Sequence, residues 1–295
     1  MSDWGKGVIN NIGWGQGADN NIGWGSIYAK SNAGLTLLLQ DESFFLNTFS
    51  EASLGLSLDK LDKNYTGSAI KVRRSSDNNE LDIGFVNNEL DTASLLDFVG
   101  SGNGFVSIIY DQVGSNNMTQ TTANLQGQIV SNGEVILKGG KPCIIRSADD
   151  DGGYLSTYAP NDGVAVKGMF YVGDSEGKDF SLLGSITGDF DSVFFGSEDS
   201  SNSAVDREAN VFLRKLNGTN KTFTTQGQVF TDTNLHFILY TQIEFDFQDN
   251  ELGLGFQQQR PQSFGMMTFQ ELVIFENTDD AVSKENNINA RYNIY

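Results

Sequence analysis

The 295-residue chain has one cysteine (Cys143), one histidine (His236) and three prolines. A single cysteine permits no disulfide within the chain, which excludes a small disulfide-stapled scaffold. Cys143 reads as a small buried hydrophobe in a strand, with a reactive thiol as the other reading. One histidine and one cysteine leave no classical zinc site. A Ser-His-Asp triad would need His236, which stands in the apolar run His236-Phe237-Ile238-Leu239-Tyr240 and reads as a strand residue. No Gly-x-Ser-x-Gly elbow, P-loop or dinucleotide fingerprint occurs. The first residues, MSDWGKGVINN, have no apolar leader core, and no run of about 18 apolar residues appears, so neither a signal peptide nor a membrane span is expected. Basic residues are also scarce: 19 against 38 acidic ones, a net charge of −19. Binding phosphate backbones or anionic lipid requires Lys or Arg to replace counterions, so no nucleic-acid and no membrane partner is expected. The charge itself serves solubility.

Glycine is plentiful at 33 residues, and hydrophobic residues make up 38% of the chain, enough for a real core. Gly and Asn supply positive φ cheaply, which suits short strands joined by tight turns. Strand-like stretches are Val106–Tyr110, Val135–Leu137, Lys141–Ile145, Gly168–Val172, Val193–Gly196, Val211–Leu213, Lys221–Thr225, Phe237–Phe247 and Met266–Phe275. Turn-forming stretches such as Ser147–Gly153, Asp174–Lys178 and Ser197–Asp206 separate them. Residues 89–99 read as a helix capped by Asp91 or Thr92, with Leu95, Leu96 and Val99 as its apolar face. A polar helix is expected from Asp279 to about Ala290. In residues 41–64 the first apolar cluster, Phe44 to Phe49, is ambiguous between helix and strand. The second, Leu54, Leu56, Leu58 and Leu61, reads as the alternation of a strand. The spacing predicts a mainly β protein, a two-sheet antiparallel sandwich or jelly roll with few short helices.

The N-terminal segment carries an internal repeat. Asn11-Ile12-Gly13-Trp14-Gly15 recurs as Asn21-Ile22-Gly23-Trp24-Gly25, and Trp4-Gly5 is a weaker copy. All three tryptophans lie here. The segment is too short to bury three indoles by itself, and Trp is a favoured interface anchor. Residues 1–40 are therefore expected to be an extended attachment arm, with Trp4, Trp14, Trp24, Gly13, Gly15, Gly23 and Gly25 as its contact residues. The alternative is that the indoles fold back onto this chain's own main domain, residues 41–295, whose leading part 41–104 is partly helical.

Glycoside hydrolysis needs only two convergent carboxylates. Glu198, Glu208, Glu244, Asp246, Glu251 and Glu271 are the candidates in the second half. The run Asp149-Asp150-Asp151 offers oxygen ligands to Ca²⁺ but lacks the spacing and closing Glu of an EF-hand, and a solvated turn is the other reading. No cofactor is otherwise expected.

Two stretches carry a resemblance. LGLSLDKLDKNYTGSAIKVRRSSDNNELDIGFV (residues 54–86) and FVSIIYDQVGSNNMTQTTANLQGQIV (105–130), with Gly140-Lys141-Pro142, resemble the start of the catalytic domain of fungal α-L-arabinofuranosidase B enzymes. They also resemble a module of bacteriophage tail and fibre proteins. The telling residues are Tyr65, Gly67, Arg73, Arg74, Asp77, Tyr110, Asp111 and Gln112. Residues 160–295 resemble a concanavalin-like or laminin-G-like jelly roll, and the Trp-Gly arm resembles the N-termini of phage virion proteins. The resemblance implies two sheets with a concave face suited to sugars, places Arg73, Arg74 and Asp77 in a shared structural motif, and favours a helix in residues 41–64. Many carboxylates are at hand for Arg73 and Arg74 to pair with. The arabinofuranosidase family carries an adjacent cysteine pair that is absent here. The expectation drawn is a non-catalytic, oligomeric virion surface protein, made in a host bacterial cytoplasm. Its arm binds capsid or tail subunits and its sandwich faces host surface glycans. The alternative is a glycoside hydrolase, arabinofuranosidase-like or a capsule depolymerase.

Overall fold

The computed structural model describes residues 27–31, 34–38, 44–146, 154–156, 166–174, 180–185, 192–195, 206–207, 210–220, 237–245, 252–254 and 267–295. The chain divides into two units, Met1–Ser50 and Glu51–Tyr295. In the first, Ile27–Ser31 pairs antiparallel with Gly34–Leu38, and Phe45–Thr48 forms one helical turn with Phe45 and Phe49 rings 5.1 Å apart. The tryptophan repeat, His236 and Lys221–Thr225 lie outside the described residues.

The second unit is a mainly β sandwich, and all strand pairs among its described residues are antiparallel. One sheet runs Asn210–Leu216, Phe237–Phe245, Val166–Asp174, Met267–Phe275, Ala52–Ser57. The other runs Glu80–Ile83, Ile70–Arg74, Gly104–Ile109, Met118–Thr119, Tyr154–Ser156, Leu252–Leu254, Phe180–Ser185, Ser192–Phe195, Asp206–Arg207. Ile144–Arg146 joins them, pairing with the start of Met267–Phe275 on one side and with Gln128 on the other. Leu54, Leu56, Met169, Tyr171, Leu272 and Ile274 of the first sheet meet Ile70, Val72, Ile83, Val106, Ile109 and Met118 of the second in one buried core.

Two-residue turns with positive φ close four hairpins: Asn87-Asn88, Asn132-Gly133, Gly139-Gly140 and Asn217-Gly218. Their left-handed backbone matches the right-handed twist of the flanking strands, which is why Asn and Gly occupy them. Where Val166–Asp174 slips register against the closing strand Met267–Phe275, the residue is Gly173, because a Cβ there would overlap the Thr268 carbonyl oxygen.

The central strands are buried on both faces. Tyr171, Leu272 and Ile274 enter the inter-sheet core, while Phe170, Tyr240 and Phe275 form an aromatic cluster on the opposite face, Phe170 and Tyr240 stacked at 4.6 Å. Near that cluster lies the terminal helix Ala281–Tyr292, whose Lys284 Nζ sits 3.8 Å from the Phe275 ring centroid. Two-sided burial explains why these strands read as continuous apolar runs rather than alternating ones.

Several expectations are corrected in detail. The helix that the resemblance favours in residues 41–64 shrinks to Phe45–Thr48, and Ala52–Ser57 is a strand, as its alternation indicates. The helix predicted over 89–99 begins at Thr92, because Glu89–Leu90 pairs with Phe85–Val86 and Asp91 accepts from Ser94 N as the N-cap. Cys143 is fully buried, in the link between Lys141–Pro142 and Ile144–Arg146 rather than inside a strand.

Candidate functional site

The motif residues named from the sequence hold irregular backbone in place. The Asp111 carboxylate accepts four backbone N–H groups, from Gly55 (3.1 Å), Val113 (2.9 Å), Gly114 (3.0 Å) and Asn116 (3.1 Å). Gln112 beside it is buried. Its amide oxygen accepts from Leu61 N at 2.8 Å, and its Nε2 donates to the Ser57 and Asp59 carbonyls. Tyr110 donates its phenol to Asp82 at 2.7 Å. Burial, then this hydrogen bond, holds the Tyr110 phenol well above its ordinary range. Tyr65 Oη donates to the Ser68 carbonyl, and the ring lies so close to Gly67 that a Cβ there would stand 2.5 Å from the hydroxyl.

The two arginines divide. Arg74 forks onto Asp77 at 2.8 and 2.7 Å, donates to the Phe98 carbonyl and lies over the Phe98 ring. That fork, together with the Asn79 amide, holds the exposed Asp77 carboxyl well below the ordinary aspartate range. Among the described residues, Arg73 pairs with no carboxylate. It donates to Gln126 Oε1, Asn78 Oδ1 and the Ala123 carbonyl, and stacks over Phe105. Neutral oxygens satisfy its donors because its strand, Ile70–Arg74, points Arg73 at the amide-rich turn 120–126.

Of the six carboxylates proposed for hydrolysis, Glu271 is central in the closing strand and has no exposed surface. It accepts a two-pronged Arg291 fork at 2.7 and 2.6 Å, Ser57 Oγ at 2.8 Å and Tyr292 Oη at 3.2 Å. Burial opposes the Arg291 charge, and Glu271 more than offsets it, so the guanidinium is held above its usual range. Such a carboxylate is a structural anchor and is closed to a sugar. Glu244 stands in Phe237–Phe245, in register with Asn210. Glu198, Glu208, Asp246 and Glu251, like Asp149, Asp150 and Asp151, lie outside the described residues.

Sequence reasoning did not single out Asp59, which the fold brings to Glu271. Lys141 Nζ lies 2.9 and 3.1 Å from the two Asp59 oxygens and 3.1 Å from Glu89 Oε1, and Arg291 reaches Asp59 at 3.9 Å. Burial pushes the Asp59 carboxyl up, and Arg291 and Lys141 only partly counter it. The isolated bridge of Asp59 with Glu89 and the contact of Lys141 over the Tyr292 ring complete a five-charge cluster. A charged residue just after a strand carries no mark that it will meet a helix some 230 residues later, so the sequence gives no signal for this cluster.

No protein-family model matches the chain, and no curated protein matches it. Solved structures do. The chain is similar to a glutamate-to-glutamine variant of a GH54 α-L-arabinofuranosidase soaked with 4-nitrophenyl α-L-arabinofuranoside (TM-score 0.53, 14% identity). It is also similar to a GH54 α-L-arabinofuranosidase soaked with a cyclic sulfate inhibitor (TM-score 0.52, 14%). A third neighbour is an arabinofuranosidase complexed with arabinofuranosyl-α-1,2-xylobiose (TM-score 0.51, 15%). Each alignment covers 80% of this chain and 62% of the neighbour, so the chain spans less than two thirds of those proteins. The fold is thus arabinofuranosidase-like. This overturns the expectation of a non-catalytic chain, since the solved neighbours that share the fold are arabinofuranosidases. These neighbours bear on the arabinofuranosidase half of the resemblance and not on its phage half.

Proposed function

We propose that the chain is a carbohydrate-active domain that hydrolyses glycosidic bonds, with α-L-arabinofuranosides or a related surface glycan as substrate. The observation that carries this reading is the shared sandwich fold over 80% of the chain with enzymes solved around arabinofuranosyl ligands. Two carboxyl groups about 5–5.5 Å apart would give retention, and about 6.5–9.5 Å apart inversion. Glu271 is committed to Arg291 and is not one of them. Glu244, Glu198, Glu208, Asp246 and Glu251 remain as the pool. The test is release of 4-nitrophenol from 4-nitrophenyl α-L-arabinofuranoside, and of reducing ends from arabinan and capsular polysaccharide. Each carboxylate of the pool is exchanged in turn for its amide. Turnover that collapses in two of the five variants supports the reading. Glycan binding without turnover in any assay overturns it.

The ten-residue spacing of Trp14 and Trp24 supports a further proposal about delivery: residues 1–40 attach the domain to a virion capsid or tail subunit and so bring it to host glycans. Trp14→Ala with Trp24→Ala is expected to abolish incorporation into particles while leaving the sandwich folded. Normal incorporation would remove the arm from the account.

A further inference from the structure

The second sheet turns one face to the core and the other outward. Ile70, Val72, Ile83, Val106 and Ile109 are buried, whereas Lys71, Arg73, Glu80, Asp82, Phe105 and Ile108 are exposed or half-exposed. Register sets those six in two rows across three strands: Asp82, Lys71, Ile108 in one and Glu80, Arg73, Phe105 in the other. Strands about 5 Å apart make each row about 10 Å long. Lys71 and Arg73 balance Glu80 and Asp82, on a chain whose net charge is −19. The charges are nonetheless loosely closed. Lys71 Nζ stands 3.7 Å from Asp82 Oδ1, which already accepts from the Tyr110 phenol. Among the described residues, nothing donates to Asp82 Oδ2 or to the Glu80 carboxylate, and Glu80 makes no ion pair with Arg73 although the two stand in register. Arg73 gives one bond each from Nε, Nη1 and Nη2, to Gln126, Asn78 and Ala123, and rests over the Phe105 ring at 4.9 Å. Its plane is thereby fixed, while two of a guanidinium's five N–H groups are left without an acceptor among the described residues. Arg74 beside it is the contrast, closed by the Asp77 fork.

We propose that this outward face is a binding site for a neutral oligosaccharide. The assignment rests on the carbohydrate reading above but not on its hydrolytic step, and it shares no residue with the pool of candidate catalytic carboxylates. A sugar hydroxyl both donates and accepts, so it is met best where open donors and open acceptors lie side by side. Arg73 and Lys71 supply the donors and Glu80 and Asp82 the acceptors, each pair one strand spacing apart. Phe105 and Ile108, the next column, offer an apolar strip to the C–H groups of a ring. The guanidinium is already held in place, so little ordering cost falls on binding. A uronic acid or a sulfated sugar would set its anion about 5 Å from Glu80 and Asp82, where like charges repel. A protein partner fits less well: four of the six side chains are charged, and charges are depleted from the cores of protein interfaces.

The test titrates the full chain with arabinan and xylan oligosaccharides, and with galacturonan oligosaccharides of the same length, by calorimetry and by amide NMR shifts. The expected result is binding of a neutral glycan with shifts gathered on Ile70–Arg74, Glu80–Ile83 and Gly104–Ile109. Galacturonan binds at least about tenfold more weakly, and the neutral glycan's affinity holds from low to high salt, since no net charge is neutralised. Arg73→Gln and Lys71→Gln each weaken binding about tenfold or more, the loss of one hydrogen bond to a charged group. Lys71→Gln does so with little change in melting temperature, because its exposed ion pair contributes little to the fold, so the test stands even where Arg73→Gln misfolds. Unchanged binding in Lys71→Gln and in Asp82→Asn overturns the site. So does a galacturonan that binds as tightly as the neutral glycans, or the absence of binding by any of them. Hydrolysis of these glycans without shifts on this face overturns the site and leaves the proposed activity standing. Binding on this face without hydrolysis supports the site and counts against the activity alone.

Discussion

Two regions of the sandwich fix irregular chain by different means. In residues 51–146, one carboxylate and one amide side chain, Asp111 and Gln112, gather backbone N–H and C=O groups from segments up to 56 positions away. Around the closing strand and terminal helix, ion pairs do this instead: Arg291 on Glu271, and Lys284 on Glu51 at 2.8 Å with its charge over Phe275. The first device satisfies groups that must be satisfied anyway, so its benefit is avoided loss. The second places charges where water is excluded, so each partner depends on the other far more than the pair contributes in total.

The sharpest way to break this comparison is at the ion pair. Arg291→Met is expected to lower unfolding free energy by about 3–5 kcal/mol, because Glu271 is left charged and buried. Glu271→Leu combined with Arg291→Met should recover more than half of that loss in urea unfolding. Additive losses would show that the two residues act independently and that neither is stranded by loss of the other. A middle effect is expected from Asp111→Ala, about 2–3 kcal/mol, from stranding four backbone donors, with Asp111→Asn milder because one oxygen remains. No second substitution rescues Asp111→Ala, since its partners are main chain. The smallest effect is at the exposed Asp77. Its carboxyl is depressed, so its contribution is present above the ordinary aspartate value and fades as pH falls through the folded one. Asp77→Asn should lower the melting temperature slightly at neutral pH, by a difference that vanishes as pH falls through the folded value, so the acid side of the profile flattens.

The strands of the central sheet were legible because burial on both faces makes Met169–Val172 and Leu272–Phe275 unbroken apolar runs. Ile70–Arg74 was visible only as a motif, since Lys71, Arg73 and Arg74 interrupt the apolar pattern wherever the strand turns outward. The terminal helix was legible as a polar helix but not as a buried one. Lys284, Glu285 and Arg291 go into the protein through partners distant in sequence, and composition carries no trace of partners. For the same reason Glu271 looked like a free carboxylate. Its neutraliser is 20 residues away and reaches it only after the helix folds back.

Ala52–Ser57 forms its ladder with Met267–Phe275, so Ser53 Oγ bonds a carbonyl 221 positions further along the chain. During synthesis at about 5–20 residues per second, that first strand waits on the order of 10–40 s for the segment that will hold it. Its leucines are expected to need shelter from a chaperone or from premature neighbours throughout that interval. The ribosome, rather than any later denaturant, is thus the severest trial this sheet meets.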